Sequence, residues 1–593
     1  MTMRDSLRIG CGAAFWGDSA EGARELVAHG QLDYLVFDYL AEITMSLLAR
    51  ARAKDPAAGY ATDFPAVIAA LAPQIKAQGI KVVSNAGGVN PEACKAAIDT
   101  QLAALNIDLK VAIVTGDDLL ARANEFSAVK EMFSGEPLPP KLWSMNAYLG
   151  AFPIAQALAG GADIVLTGRC VDSAVALGPL IHEFGWRAND YDRLSAGSLV
   201  GHLIECGTQV TGGVSTDWQA VSADWDRMGF PIAECHADGR CIITKPEMSG
   251  GRVSVETVTE QLIYEVGDPG AYLLPDVTCD WREVRVREIG PNRIEVSGAR
   301  GAAPGNDYKV SATWQDGFRA NGTMMIGGRD AVAKARIVAD AILTRTRRLM
   351  AERGMADYRR TDIEVLGSEA NWGAQARRGD TREVILKLAV HHDDKAALNL
   401  FGREFIPPAT AMAQGITGFI GGRPAPTPLV RLFSCLLPKN AVPIAVNGEA
   451  YEPPRPMAEQ AHAQVQSENP PRYAVGAGTP IDTPAEGTTV PLIELAYGRS
   501  GDKGNSANIG VLARKPEFLP LLRAQLTAEA VHAYFAHFVQ GTVTRFEWPG
   551  VQGFNFLLTE ALGGGGMASL RHDPQGKMLA QILMDFPIVV PAP

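Results

Sequence analysis

The chain of 593 residues is 47% hydrophobic and 20% charged. That is the make-up of an ordinary folded protein, which excludes fibrous and disordered classes, and the length exceeds what one core can organise. A formal net charge of −11 without any long Lys/Arg run repels nucleic acid. Eight cysteines without a C-x-x-C pair exclude a disulfide framework and a zinc knuckle.

No signal peptide or membrane span is expected, because MTMRDSLRIG lacks a basic-then-apolar pattern and no run approaches about 18 apolar residues. The expectation is therefore a cytoplasmic protein with no nucleic-acid and no membrane partner. From the N-terminus, five short β-branched or apolar runs stand out: Leu7–Gly10, Tyr34–Phe37, Lys81–Ser84, Lys110–Val114 and Asp163–Leu166. Each leads through small or polar residues into a helix-like stretch. This is an α/β pattern, a mostly parallel sheet with flanking helices over 7–280, and parallel strands place all five following loops at one carboxyl edge. Residues 281–450 change to strand-rich text such as REVRVREI and DYKVSATW with one helix near 330–353, an α+β portion. A Pro/Ala/Gly-rich stretch, 451–489, reads as a linker. A small α+β domain follows over 490–590.

Several segments carry candidate chemistry. SNAGGVNPEACKAAI supplies Asn85, the paired Gly87 and Gly88, and Asn90 before a helix, which serves either an anion or capping alone. TGRCVDS supplies Gly168, Arg169, Cys170, Asp172 and Ser173 at a strand-to-helix turn. Backbone N–H groups and Arg169 there suit a phosphate or carboxylate, and the same potential would favour a Cys170 thiolate; the alternative is a small buried cysteine. In GHLIECG, His202, Glu205 and Cys206 share a helix face as an acid/base or thiol set, or as a plain solvated face.

The stretch GRSGDKGN carries Arg499, Gly501, Asp502, Lys503, Gly504 and Asn505 between two apolar runs. Its order departs from a P-loop and it does not open onto a helix, so nucleotide hydrolysis is disfavoured. It is either an anion-holding loop or a long hairpin turn. Asn555 and Arg571, flanking the Gly563–Gly566 run, would join Arg499 and Lys503 around an anion if the two loops share an edge. The HHDD run at 391–394 alternates across a strand, so no metal set is expected. Phe15 stands where a dinucleotide fingerprint needs glycine, and no cofactor is expected.

Taken in order, NAGGVNPEACKAAI, GADIVLTGRCVDSAVALGPL, HLIECGTQVTGG, GDPGAYLLPDVTCDW, GRSGDKGNSANIGVLAR and NFLLTEALGGGG resemble the acyclic terpene utilisation AtuA family over almost the whole chain. The resemblance implies an AtuA domain over about 7–450 and an AtuA-like domain of ferredoxin-type fold over about 490–590. It also implies a setting in acyl-CoA catabolism of citronellol- and geraniol-type terpenoids, but no reaction and no catalytic set. In the setting that the resemblance implies, the first expectation is an enzyme acting on a branched acyl-CoA or related carboxylate, and the residues suggest hydrolytic or lyase/hydratase chemistry. Asp172, Glu205 or Asp502 would be its acid/base, and Cys170 or Cys206 a nucleophile. The alternative is a non-catalytic acyl-CoA-binding or scaffold subunit for a carboxylase or dehydrogenase; a phosphatase is a weaker reading. A homo-oligomer is expected. A functional Arg499–Asn505 loop requires the C-terminal domain to fold back, or reach a neighbouring subunit, over the carboxyl edge of the N-terminal sheet.

Overall fold

A computed structural model describes residues 5–454 and 487–591. The five runs form β1 (Ser6–Cys11), β2 (Tyr34–Phe37), β3 (Lys81–Ser84), β4 (Val111–Thr115) and β6 (Ile164–Thr167), while β5 (Ser144–Ala147) belongs elsewhere. β1, β2, β3, β6 and β4 pair in that order, all in parallel. Their side chains obey the two-residue period of a strand. Ile9, Val36, Val83 and Val165 enter one core, and Leu35, Phe37, Val82 and Leu166 the other. Helices cover both faces, which is why the strands read as unbroken apolar runs.

Antiparallel strands extend this parallel centre on both sides, so the whole is an eleven-stranded mixed sheet. Ile232–His236 pairs with β1, and Ala445–Val446 pairs with β4. A second, six-stranded sheet is built on the 21-residue strand Asp307–Gly327, which takes β5 as one partner. The 281–450 portion is therefore stitched to the first sheet by β5 and by Ala445–Val446. Most of the expected linker, from 455 to 486, lies outside the described residues. Among the described residues no helix is long and apolar enough to cross a membrane.

The C-terminal domain is a four-stranded antiparallel sheet with helices on one face. Here the expected glycine loop is corrected: Ala496–Lys503 and Ser506–Ala513 are paired strands, joined by a turn at Gly504 and Asn505. Backbone groups of a paired strand serve the ladder and cannot cradle a phosphate. The glycines serve close approach instead. The sheet's other face lies on residues 263–267. Asn508 Nδ2 donates to the Ile263 carbonyl at 2.9 Å, Glu265 N–H donates to Asn508 Oδ1 at 3.0 Å, and Asn555 Nδ2 donates to the Val266 carbonyl at 2.6 Å. A Cβ on Gly510 would stand 2.5 Å from Ile263 Cδ1. Gly510→Val is expected to destabilise the protein by about 1–3 kcal/mol through overpacking at this seam. Chemical denaturation measures it, and a neutral result would show that the two units are not held this closely.

Candidate functional site

Three loops at the carboxyl edge and the end of one helix converge. Asp38 follows β2, Asn85 follows β3, Arg169 and Asp172 follow β6, and Glu205 ends the helix Tyr191–Ile204. Asp38, Asp172 and Glu205 each bring a carboxylate oxygen within 4.8 Å of the others. Asn85 donates to Asp38 Oδ1 and accepts from the Tyr39 N–H at 2.7 Å, so it aims Asp38 rather than meeting a ligand by itself. Arg169 Nη1 donates to Asp172 Oδ1 at 2.6 Å and to the Cys170 carbonyl at 3.0 Å, and its guanidinium lies 4.2 Å from the Tyr148 ring centroid.

Crowding and loss of water keep protons on this cluster. Burial, then Asp172 and Glu205, raise the Asp38 carboxyl well above the usual range; burial, then Asp172 and Glu265, do the same to Glu205. His202 shows where one proton resides. Its Nε2 faces the Leu262 carbonyl at 3.1 Å, an oxygen that can only accept, so Nε2 carries the hydrogen and Nδ1 is a bare lone pair. Burial holds the ring neutral, with a pKa lowered to about 4. That lone pair faces Glu205 Oε1 at 3.5 Å, an arrangement that favours a protonated Glu205.

The C-terminal domain closes over this edge in cis. The Lys503 ammonium lies 5.5 Å from the Tyr272 ring centroid. Burial opposes its charge, but Tyr272, Glu265, Asp172 and Glu205 outweigh that and raise its pKa. Behind it, Lys577 Nζ reaches Glu265 Oε1 at 2.8 Å and Asp502 Oδ1 at 3.3 Å. Burial and then Glu265 push Asp502 up to about 6. Glu265 itself stands at φ +56°, an uncommon left-handed conformation held by its bond to Asn508.

The expected site residues divide. Arg169, Asp172, Glu205 and Lys503 come together, with Asp502 beside them. Cys170 is 1% exposed and burial pushes its thiol up to about 12; burial and Glu205 raise Cys206 as well, so both remain thiols rather than thiolates. Asn90 is fully used as a cap, accepting from the Ala93 N–H at 3.3 Å and donating to the Pro56 and Ala58 carbonyls. Gly87 and Gly88 form the turn before it, where a Cβ on Gly87 would meet the Thr167 carbonyl at 2.6 Å. Gly168 leaves room for the Asp117 carboxylate, and Ser173 begins the next helix without a side-chain capping bond.

Arg499 turns to Gln209 and to the Tyr264 ring, Gly501 lies against Glu265, and Asn505 Oδ1 accepts from the Gly564 N–H at 2.7 Å. With Asn555 bonded across the seam to the Val266 carbonyl and Arg571 stacked on the Phe538 ring, the expected ring of Arg499, Lys503, Asn555 and Arg571 around one anion does not form. His391 and His392 donate through Nε2 to the Asp316 and Ala356 carbonyls, away from the cluster. Asp38, Glu265 and Lys577 were missed because nothing in their local spacing marks them. Asp38, Asp172 and Glu205 are also the residues whose oxygens could hold a divalent cation.

Asp117, after β4, supports the cluster from below by accepting from the Arg169 N–H at 2.8 Å and from Asn146 Nδ2 at 2.9 Å. Burial raises its pKa to about 7. A carboxyl raised in the folded state binds a proton that the unfolded chain releases, so its contribution is lost as pH climbs from about 4 to 7. Asp117→Asn is expected to make the decline of stability over that window shallower by up to about 1.4 kcal/mol per pH unit, read from denaturation curves. An unchanged slope would contradict the raised pKa.

Two family models match the chain: the acyclic terpene utilisation family protein AtuA over residues 7–448, and the AtuA ferredoxin-like domain over 490–589. No curated protein and no solved structure gives a significant match. The first model spans well over half of the chain, including the β2, β3 and β6 loops and the helix that ends at Glu205, and the second contains Lys503 and Lys577. The chain belongs to the AtuA family of acyclic terpene utilisation, with its ferredoxin-like domain at the C-terminus.

Proposed function

We propose that this protein is an acid/base enzyme of the lyase/hydratase class, acting on a branched acyl-CoA or the corresponding carboxylic acid in acyclic terpene breakdown. The observation that carries the reading is the Asp38–Asp172–Glu205 cluster, crowded enough to retain protons yet facing the Lys503 ammonium. In one direction the Asp172 carboxylate takes a proton from the carbon next to the acyl carbonyl, and Lys503 offsets the negative charge that develops on the carbonyl oxygen. Glu205 gives its proton to the departing hydroxyl, so a carbon–carbon double bond forms and water leaves. The reverse sequence adds water. Burial, then Asp172 and Glu265, favour the proton on Glu205. The raised Cys170 and Cys206 thiols favour this over a thiol-based hydrolysis.

Hydration and dehydration of a panel of branched acyl-CoA thioesters and free acids tests the reading. Glu205→Gln and Asp172→Asn are each expected to lower kcat by about 10²–10⁴, whereas Cys170→Ser retains activity. Full activity in Glu205→Gln, or no turnover anywhere in the panel, would overturn it. The pH profile follows from the sign of the Glu205 shift. Its acid form persists above the usual glutamate range and is lost as pH rises through the elevated pKa, so activity falls on the alkaline side of that pKa. Glu205→Asp is expected to move that limb, and an alkaline limb that stays in place would assign it to another group.

A further inference from the structure

Arg169 also walls a narrow slot between the parallel edge and the second sheet. Asn146 of β5, Thr313 of the long strand, and Glu42 and Met45 of the helix Glu42–Lys54 contribute to it. Most polar groups around it are already paired. Ser144 and Thr313 share a hydroxyl–hydroxyl bond of 2.6 Å, Ser311 donates to the Tyr148 oxygen at 3.2 Å, and Tyr148 donates to Glu42. Two atoms are not. Arg169 Nε and Asn146 Oδ1 are buried without a protein partner, on residues only 3% and 2% exposed. Buried polar groups ordinarily find one, and leaving one unmet is costly.

The identity of the two atoms selects a ligand. Arg169 Nε can only donate. Asn146 presents its oxygen, because its Nδ2 is committed to Asp117 Oδ2, which also accepts from the Arg169 N–H and is therefore an acceptor. A single partner set between them would accept from Arg169 Nε and donate to Asn146 Oδ1. A hydroxyl does both, whereas a carboxylate or phosphate oxygen would set a lone pair against Asn146 Oδ1. Such an anion would also meet Glu42, whose pKa is lowered to about 2, burial being outweighed by Lys309 and Arg169.

We propose that this slot seats an alcohol hydroxyl of the substrate, one that the reaction leaves in place, accepting from Arg169 Nε and donating to Asn146 Oδ1. The substrate is then a hydroxylated branched acid or its thioester. Arg169, already joined to Asp172, links recognition of that hydroxyl to the proton-transfer cluster. The naming of an acid rests on the proposed function; the hydroxyl preference rests on the slot alone.

Two measurements keep those parts distinguishable. Crystals of the full-length protein soaked in isopropanol and, separately, in acetate are expected to show the alcohol oxygen between Arg169 Nε and Asn146 Oδ1 and no acetate there. Acetate in the slot, or an ordered water that isopropanol does not displace, would overturn the hydroxyl preference. Calorimetry then compares pairs of branched acids that differ by one hydroxyl. The hydroxylated member is expected to bind wild type at least about tenfold more tightly, a difference lost in Asn146→Leu while the deoxy acid is bound as before. Equal binding within every pair, or a preference that survives Asn146→Leu, would overturn the slot's role. Failure of every acid to bind, with the alcohol still seated in the slot, would remove the acid reading and leave the hydroxyl preference standing.

Discussion

Three carboxyl groups within 4.8 Å of one another, two of them (Asp38 and Glu205) largely removed from water, cannot all be charged without cations facing them. Much of the surrounding architecture answers that constraint. Arg169 is fixed from both sides, by Asp172 and by the Tyr148 ring, so its charge does not depend on solvent. Lys503 arrives from a different domain, more than 300 residues from Arg169 in sequence, and Lys577 neutralises the second tier of acids at Glu265 and Asp502. The remaining imbalance is met by protons on Asp38 and Glu205. Carboxyls with raised pKa and the cations Arg169 and Lys503 thus share one site as a consequence of packing, not of any unusual residue.

The docking of the C-terminal sheet is the second half of the same device. The buried Asn508 and Asn555 satisfy the irregular backbone at 263–267, and Gly501 and Gly510 let their two strands lie directly on it. Without that contact Lys503 would be a surface ammonium. The left-handed Glu265 is held where it can pair with Lys577 only because Asn508 accepts its N–H. Seam and site are therefore coupled: what holds the domains together also sets the charge of the cleft.

The parallel centre was legible in the sequence because its strands are buried on both faces and end in small, polar turns. Asn90 followed by Pro91 marked a helix start for the same local reason. The Gly498–Asn505 stretch misled because glycine is depleted from strands on propensity grounds, whereas here the close neighbour requires it. Cys170 stands at a strand-to-helix turn beside Arg169, as its spacing implied, but its complete burial decides its chemistry. Asp38 carries no mark within FDYLAE, since no motif distinguishes it from a turn residue. Lys577 and Glu265 lie 312 positions apart, so their pairing is visible only in three dimensions.

The central claim is that Asp172 exchanges a proton with the carbon next to an acyl carbonyl beneath Lys503. Incubation of the purified protein in D2O with branched acyl-CoA thioesters and free acids, followed by mass spectrometry of the recovered acids, tests it directly. The account predicts deuterium at that carbon with wild type and with Cys170→Ser, and almost none with Asp172→Asn. Deuterium entering equally with Asp172→Asn, or no exchange with any acid, would contradict it.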